Sequence, residues 1–180
     1  GTNNINNPRV YTEEDEVVDM KAVLAEEKVL DFKRAANIAS QIADALNFAW
    51  SERKLTHRDI KPDNIIIASN GRAKLADLGL SQIGTKSNVT ENGEVLGTPQ
   101  YISPEQLTGS EIDCRSDIYS LGATLFQFVT GRYAYVGENT DEIAKQHVTG
   151  NLTPPKEINP DIPGMLNDII VKMMALSPAN

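Results

Sequence analysis

Cysteine is nearly absent from this chain: Cys114 is the only one in 180 residues. A single thiol excludes a disulfide framework and a cysteine-based zinc cluster. It fits a reducing compartment better than a secretory one. Basic residues are in the minority, 17 Lys and Arg against 25 Asp and Glu, for a formal net charge of −8. That balance argues against a nucleic-acid-binding protein, whose footprint is a basic excess. It argues equally against a basic helix lying on a membrane. Long apolar runs are missing, since none approaches the roughly 20 residues of a membrane span, and no N-terminal signal pattern is visible. No internal repeat occurs, and no G-x-G-x-x-G. What remains is ordinary: 40% hydrophobic and 23% charged residues, close to the globular average. A chain of this length buries a core without disulfide or metal staples.

Turn-forming Asn3, Asn4, Asn6, Asn7 and Pro8, followed by acidic Glu13 to Glu16, predict an irregular segment over 1–18. Helical spacing begins at 19, where Met20, Val23 and Leu24 predict a short helix. Asp31 then reads as an N-cap. Behind it Ala35, Ile38, Ala39, Ile42, Leu46 and Ala49 predict a longer helix to about residue 50. Ile65, Ile66 and Ile67, a Ser69-Asn70-Gly71 turn and a return over 73–76 predict a small hairpin. Residues 77–105 show no sustained period, and so long a loop in a compact domain is usually functional or disordered. Ser116 or Asp117 is expected to cap the next helix, which has almost no polar face and should be buried, ending at Gly131. A helix opening at Thr140 carries Ile143, Ala144 and His147. Pro154, Pro155 and Pro160 mark an irregular stretch, and Pro163 starts a last helix. The expected class is mainly α, with some α+β character from the hairpin.

Four segments carry chemistry. His57-Arg58-Asp59-Ile60-Lys61-Pro62-Asp63-Asn64 matches a catalytic-loop pattern, with Ile at its fourth place. Asp77-Leu78-Gly79 follows, resembling D-F-G with Leu for Phe. Gly97-Thr98-Pro99-Gln100-Tyr101-Ile102-Ser103-Pro104-Glu105 resembles a stretch ending in A-P-E, with Ser for Ala. Asp117-Ile118-Tyr119-Ser120-Leu121-Gly122 opens the apolar helix. In this order the four resemble the eukaryotic-type (Hanks-type) serine/threonine protein kinases, in a bacterial-like form. The resemblance runs from about residue 20 to 180, the helical C-terminal lobe of that fold.

Phosphoryl transfer needs positioning and charge neutralisation more than covalent chemistry. The Asp59 carboxylate suits accepting a hydrogen bond from a substrate hydroxyl. Lys61 is a point charge within reach of a transferring phosphate. Asn64 and Asp77 offer oxygen ligands of the kind Mg²⁺ takes, and the hairpin can bring them together. The resemblance implies ATP and Mg²⁺ as cofactors, with Mn²⁺ as an alternative ion, and protein Ser or Thr hydroxyls as acceptors. It adds Lys61, Asp63, Asn64, Ile66 and Asp77 as the nucleotide-binding set, with Ile66 under the adenine. Thr98 is expected to bond Asp59 and Lys61. Arg58 would receive a phosphorylated residue of the long loop, for which Thr85, Ser87 and Thr90 are the candidates. His57, Gly79, Glu105 and Asp117 are expected to be architectural, with Asp117 tying down the catalytic-loop backbone. His147 reads as a satisfied core residue, and Cys114 as unreactive.

Two parts of a complete kinase are not found: the Gly-rich loop, and a V-A-I-K strand Lys, because Lys21, Lys28 and Lys33 fall in helical patterns. The expectation is a C-terminal lobe over 19–180 without its N-lobe and with little activity alone. Such a lobe would leave Glu105 without its usual Arg partner and would form a weak homodimer or domain swap through the uncovered face. A cytoplasmic location is expected, or the intracellular part of a membrane-anchored kinase. The competing readings are a non-catalytic kinase-like interaction module and a small-molecule kinase. Upstream sequence, or the presence of the Asp59, Lys61, Asn64 and Asp77 set, separates them.

Overall fold

The computed structural model describes residues 17–77, 82–83 and 98–177. Strand β1 (Val17–Asp19) leads into helix α1 (Met20–Glu27), where the Asp19 carboxylate accepts from the Ala22 N–H at 2.8 Å. Helix α2 (Phe32–Arg53) begins at Asp31, whose carboxylate accepts from the main-chain N–H groups of Lys33 and Arg34 at 3.0 and 3.2 Å. These bonds satisfy donors that the first helical turn leaves free. The face predicted from periodicity is the buried one: Ala35, Ile38, Ala39, Ile42 and Leu46.

Strand β2 (Leu55–Thr56), a 3-10 turn at Pro62–Asn64, and strands β3 (Ile65–Ala68) and β4 (Ala73–Leu75) follow. The hairpin closes through Gly71 at φ 77°, a left-handed conformation that suits glycine. It is part of a three-stranded antiparallel sheet in the order β1-β3-β4, with Val17 opposite Ala68 and Ile66 opposite Lys74. Val17 and Val18, left in the irregular segment 1–18 by sequence reading, are therefore strand. Strand β5 (Gln82–Ile83) pairs with β2.

The loop expected over 77–105 contains local structure at its end. A 3-10 turn at Pro99–Tyr101 precedes helix α3 (Pro104–Thr108). Ser103 and Gln106 form a reciprocal capping box there. Helix α4 (Cys114–Thr130) is buried on nearly every side. Its cap is Asp113, which accepts from the Arg115 N–H at 2.8 Å, and not Ser116 or Asp117 as expected. The earlier start puts Asp117 inside the first turn and frees its carboxylate for another task. Gly131 ends the helix at φ 72° and donates its N–H to Gln127 O at 2.8 Å.

Helices α5 (Thr140–Thr149), α6 (Pro155–Ile158) and α7 (Gly164–Met173) complete the lobe, with α6 set inside the proline-rich stretch read as irregular. Phe126 and Phe128 of α4, Ile42 of α2 and Ile170 of α7 are among the fully buried side chains that join these helices in one core. The class is mainly α, as expected. Among the described residues no helix is long and apolar enough to cross a membrane.

Candidate active site

The segment between β2 and β3 is irregular, and a buried carboxylate holds it in place. Asp117 Oδ2 accepts from the His57 N–H at 2.8 Å, and Oδ1 accepts from the Arg58 N–H at 2.8 Å. Burial pushes the Asp117 carboxyl above the usual carboxylate range, opposed by these two main-chain donors. Arg58 sits at φ 70°, strained for a non-glycine residue, and is buried. Its Nε donates to Thr56 Oγ1 at 2.9 Å, and its carbonyl accepts from Gln106 Nε2 at 3.1 Å. Burial lowers the Arg58 pKa.

Asp59 follows directly from this clamped backbone. Its Oδ2 lies 2.8 Å from Lys61 Nζ and accepts from Asn64 Nδ2 at 3.0 Å. The same Asn64 amide donates to Asp59 O at 2.8 Å. The Lys61 ammonium also donates to Thr98 Oγ1 at 2.8 Å. Thr98, at the entry to the Pro99–Tyr101 turn, thus meets Asp59 through the shared ammonium. Asp59 and Lys61 are only 13% and 20% exposed, so their pairing is screened less than a surface ion pair.

Asp77 reaches this group through β4. The Ala76 N–H donates to Asn64 O at 2.8 Å, and Ala76 O pairs with His57 Nε2 at 3.1 Å. Asp77 comes next at φ 58°, with its side chain exposed. The Asn64 amide hydrogens serve Asp59, which leaves the carbonyl oxygen for a ligand. This oxygen and the Asp77 carboxylate are hard donors of the type Mg²⁺ takes, and these two residues would hold it. Among the described residues no cluster of three His, Cys, Asp or Glu side chains could hold a metal alone.

The structure therefore brings together Asp59, Lys61, Asn64 and Thr98, supported by His57, Arg58 and Asp117, and Asp77 follows Ala76, whose backbone bonds to Asn64 and His57. Ile66 is half-buried on β3. The Asp63 carboxylate is taken by Lys21 Nζ at 2.7 Å. Glu105 is buried, and in place of the Arg it was expected to lack, Ser116 Oγ donates to its Oε1 at 2.5 Å. Gly79, Thr85, Ser87 and Thr90 lie outside the described residues. Sequence reading missed Gln106 and Thr56. The S-x-x-Q capping-box pattern at Ser103 was the available signal for Gln106, whereas nothing local marks Thr56.

A carboxylate paired with an ammonium and an amide, on a loop clamped by a buried Asp of a helical lobe, is the kind of arrangement that phosphoryl transfer uses. The chain belongs to the protein kinase family: the protein kinase domain matches residues 8–180. It is 37% identical over 161 residues to a probable serine/threonine-protein kinase of Clostridium acetobutylicum, covering 89% of this chain and 24% of that protein. It is 37% identical over 150 residues to the serine/threonine-protein kinase PknB of Mycolicibacterium smegmatis, covering 82% of this chain and 24% of that protein. Against PknB of Mycobacterium tuberculosis the identity is 33% over 175 residues, covering 96% and 28%. The chain thus spans about a quarter of the length of these relatives.

Proposed function

We propose that the protein carrying this chain transfers the γ-phosphoryl group of ATP to Ser or Thr hydroxyls of protein substrates. The observation that carries this reading is the Asp59–Lys61–Asn64–Thr98 cluster, joined by contacts of 2.8 to 3.0 Å. Asp59 accepts the hydrogen bond of the incoming hydroxyl and orients its oxygen. Lys61 sets a positive charge beside the phosphoryl group in flight, and Thr98 fixes that ammonium. Asn64 and Asp77 would hold Mg²⁺, which when bound neutralises charge on the phosphates. Lys61, Asn64, Asp77 and Ile66 would line the nucleotide, and the action would be cytoplasmic or in the intracellular part of a membrane-anchored kinase.

The test is radiolabel transfer from γ-labelled ATP to protein Ser and Thr by the natural protein and its Asp59→Asn variant. The expected loss is about 10²- to 10⁴-fold in kcat. Full activity in the variant would overturn the assignment of Asp59.

We further propose that residues 19–180 form the C-terminal lobe and that a second lobe covers the face marked by Val17 and Val18, which are 45% and 48% exposed. With that face bare, the 180-residue chain has little transferase activity and self-associates weakly, since uncovered apolar surface drives association. Multi-angle light scattering at rising concentration is expected to show mass above 19.7 kDa. A strict monomer would refute the self-association.

A further inference from the structure

A cleft of about 390 Å³ opens beside the site and shares Lys61 and Thr98 with it. Lys21 and Leu24 of α1 line it together with Tyr101 and Tyr133. A hydroxyl presented to Asp59 arrives on a peptide, and the residues flanking that hydroxyl need a place close to Lys61 and Thr98. This cleft has the room for one such side chain. Its lining carries one carboxylate, Asp63, and that carboxylate is occupied: Lys21 Nζ lies 2.7 Å from Oδ1, across a separation of 42 residues. Gln127, also in the lining, is bound by the Tyr101 hydroxyl at 2.5 Å and adds no charge. The Tyr101 and Tyr133 rings meet edge to face at 6.0 Å and offer aromatic surface to the cleft.

We propose that Lys21 is a specificity-determining residue, which masks Asp63 so that this subsite takes an uncharged, apolar flanking side chain of the protein substrate and rejects Arg and Lys. The inference deepens the kinase reading and rests on it. An arginine entering the cleft would meet Lys21 and Lys61 before any free carboxylate. Each lysine is already paired with a carboxylate, Lys21 with Asp63 and Lys61 with Asp59. The arginine would have to displace an ammonium to gain a partner, and leaving the wrong side chain without one is how interfaces exclude it. An apolar side chain meets Leu24 and the two tyrosine rings without disturbing the ion pair. Lys21 itself is 71% exposed on the side chain and supports no core packing, so its removal leaves the lobe intact.

The test uses the natural protein, its Lys21→Ala variant and the Lys21→Ala/Asp63→Asn double variant. Each is assayed on peptides in which Arg, Leu or Glu is scanned through the positions flanking an acceptor Ser or Thr. The readout is the ratio of kcat/KM for Arg over Leu at each position, which does not depend on the folded fraction. At one position the ratio is expected to rise about fivefold in Lys21→Ala, the upper end of what an exposed charge pair supplies. It should return toward the starting value in the double variant. A ratio unmoved by Lys21→Ala, a rise that persists in the double variant, or a natural protein already preferring Arg or Glu at the responsive position would each overturn the proposal. Absence of any transfer by the natural protein, with autophosphorylation also absent, would overturn the kinase reading and this inference with it.

Discussion

Asp117 shows how one side chain can hold a site it never touches. It is 2% exposed, and both its oxygens accept main-chain N–H groups from the two residues ahead of Asp59. Those donors belong to an irregular segment with no ladder to satisfy them, and a buried donor left unpaired costs about 1–3 kcal/mol. Asp117→Ala is therefore expected to lower stability by about 3 kcal/mol in urea denaturation. Asp117→Asn keeps one acceptor oxygen and should cost about half as much. Equal stability of all three proteins would refute this account of the clamp. Gln106 serves the same loop from the other side, through its bond to Arg58 O, and ties α3 to the backbone next to Asp59.

Helix packing is close where α4 passes α7. Gly122 lies in the middle of α4, and a methyl group added there would sit 2.8 Å from Met173 Cβ and 3.0 Å from Met174 Cγ. Gly122→Ala must push α7 outward, even though alanine is the better helix former. Overpacking of this kind typically costs about 1–3 kcal/mol. The expected outcome is a lower urea midpoint with an unchanged m-value, and a raised midpoint would show that α7 yields freely. At the end of the same helix, Gly131 combines φ 72° with a close approach to Lys28 O and Val29, so a side chain is excluded there on two grounds.

The assembled lobe buries one imidazole that no single element would. His147 of α5 is fully enclosed, with Nδ1 2.9 Å from the Tyr119 hydroxyl of α4 and its ring packed edge-on against Tyr135 at 4.8 Å. Burial pushes its pKa down from 6.5 to about 4. The unfolded chain therefore takes up a proton between pH 6.5 and 4 that the native chain refuses. This group's stabilising effect is complete above pH 6.5 and is lost as pH falls toward 4, by about 3 kcal/mol at about 1.4 kcal/mol per pKa unit. Denaturation midpoints measured from pH 7.5 to 4.5 should fall, and they should fall less steeply in His147→Phe. Parallel slopes in the two proteins would remove His147 as the cause.

Helix and turn signals were legible because they are local. Asp31 caps a helix through bonds to residues two and three positions on. Gly71 and Gly131 adopt left-handed angles that their own lack of a Cβ permits. The order of the four kinase-like segments likewise pointed to the family that the protein kinase domain match shows. The start of α4 was misread because Asp113, Ser116 and Asp117 are all good caps, and local propensity cannot rank them. Folding ranked them: Asp117 was needed across 60 residues by the backbone ahead of Asp59, Ser116 went to Glu105, and Asp113 was left to cap. The pairing of β1 with β3 and of Lys21 with Asp63 belongs to the same kind of contact, between segments more than 40 residues apart. Neighbouring residues write helix ends and turns into the chain directly. Which distant carboxylate meets which donor is settled only when the helices pack and each buried polar group must find a partner.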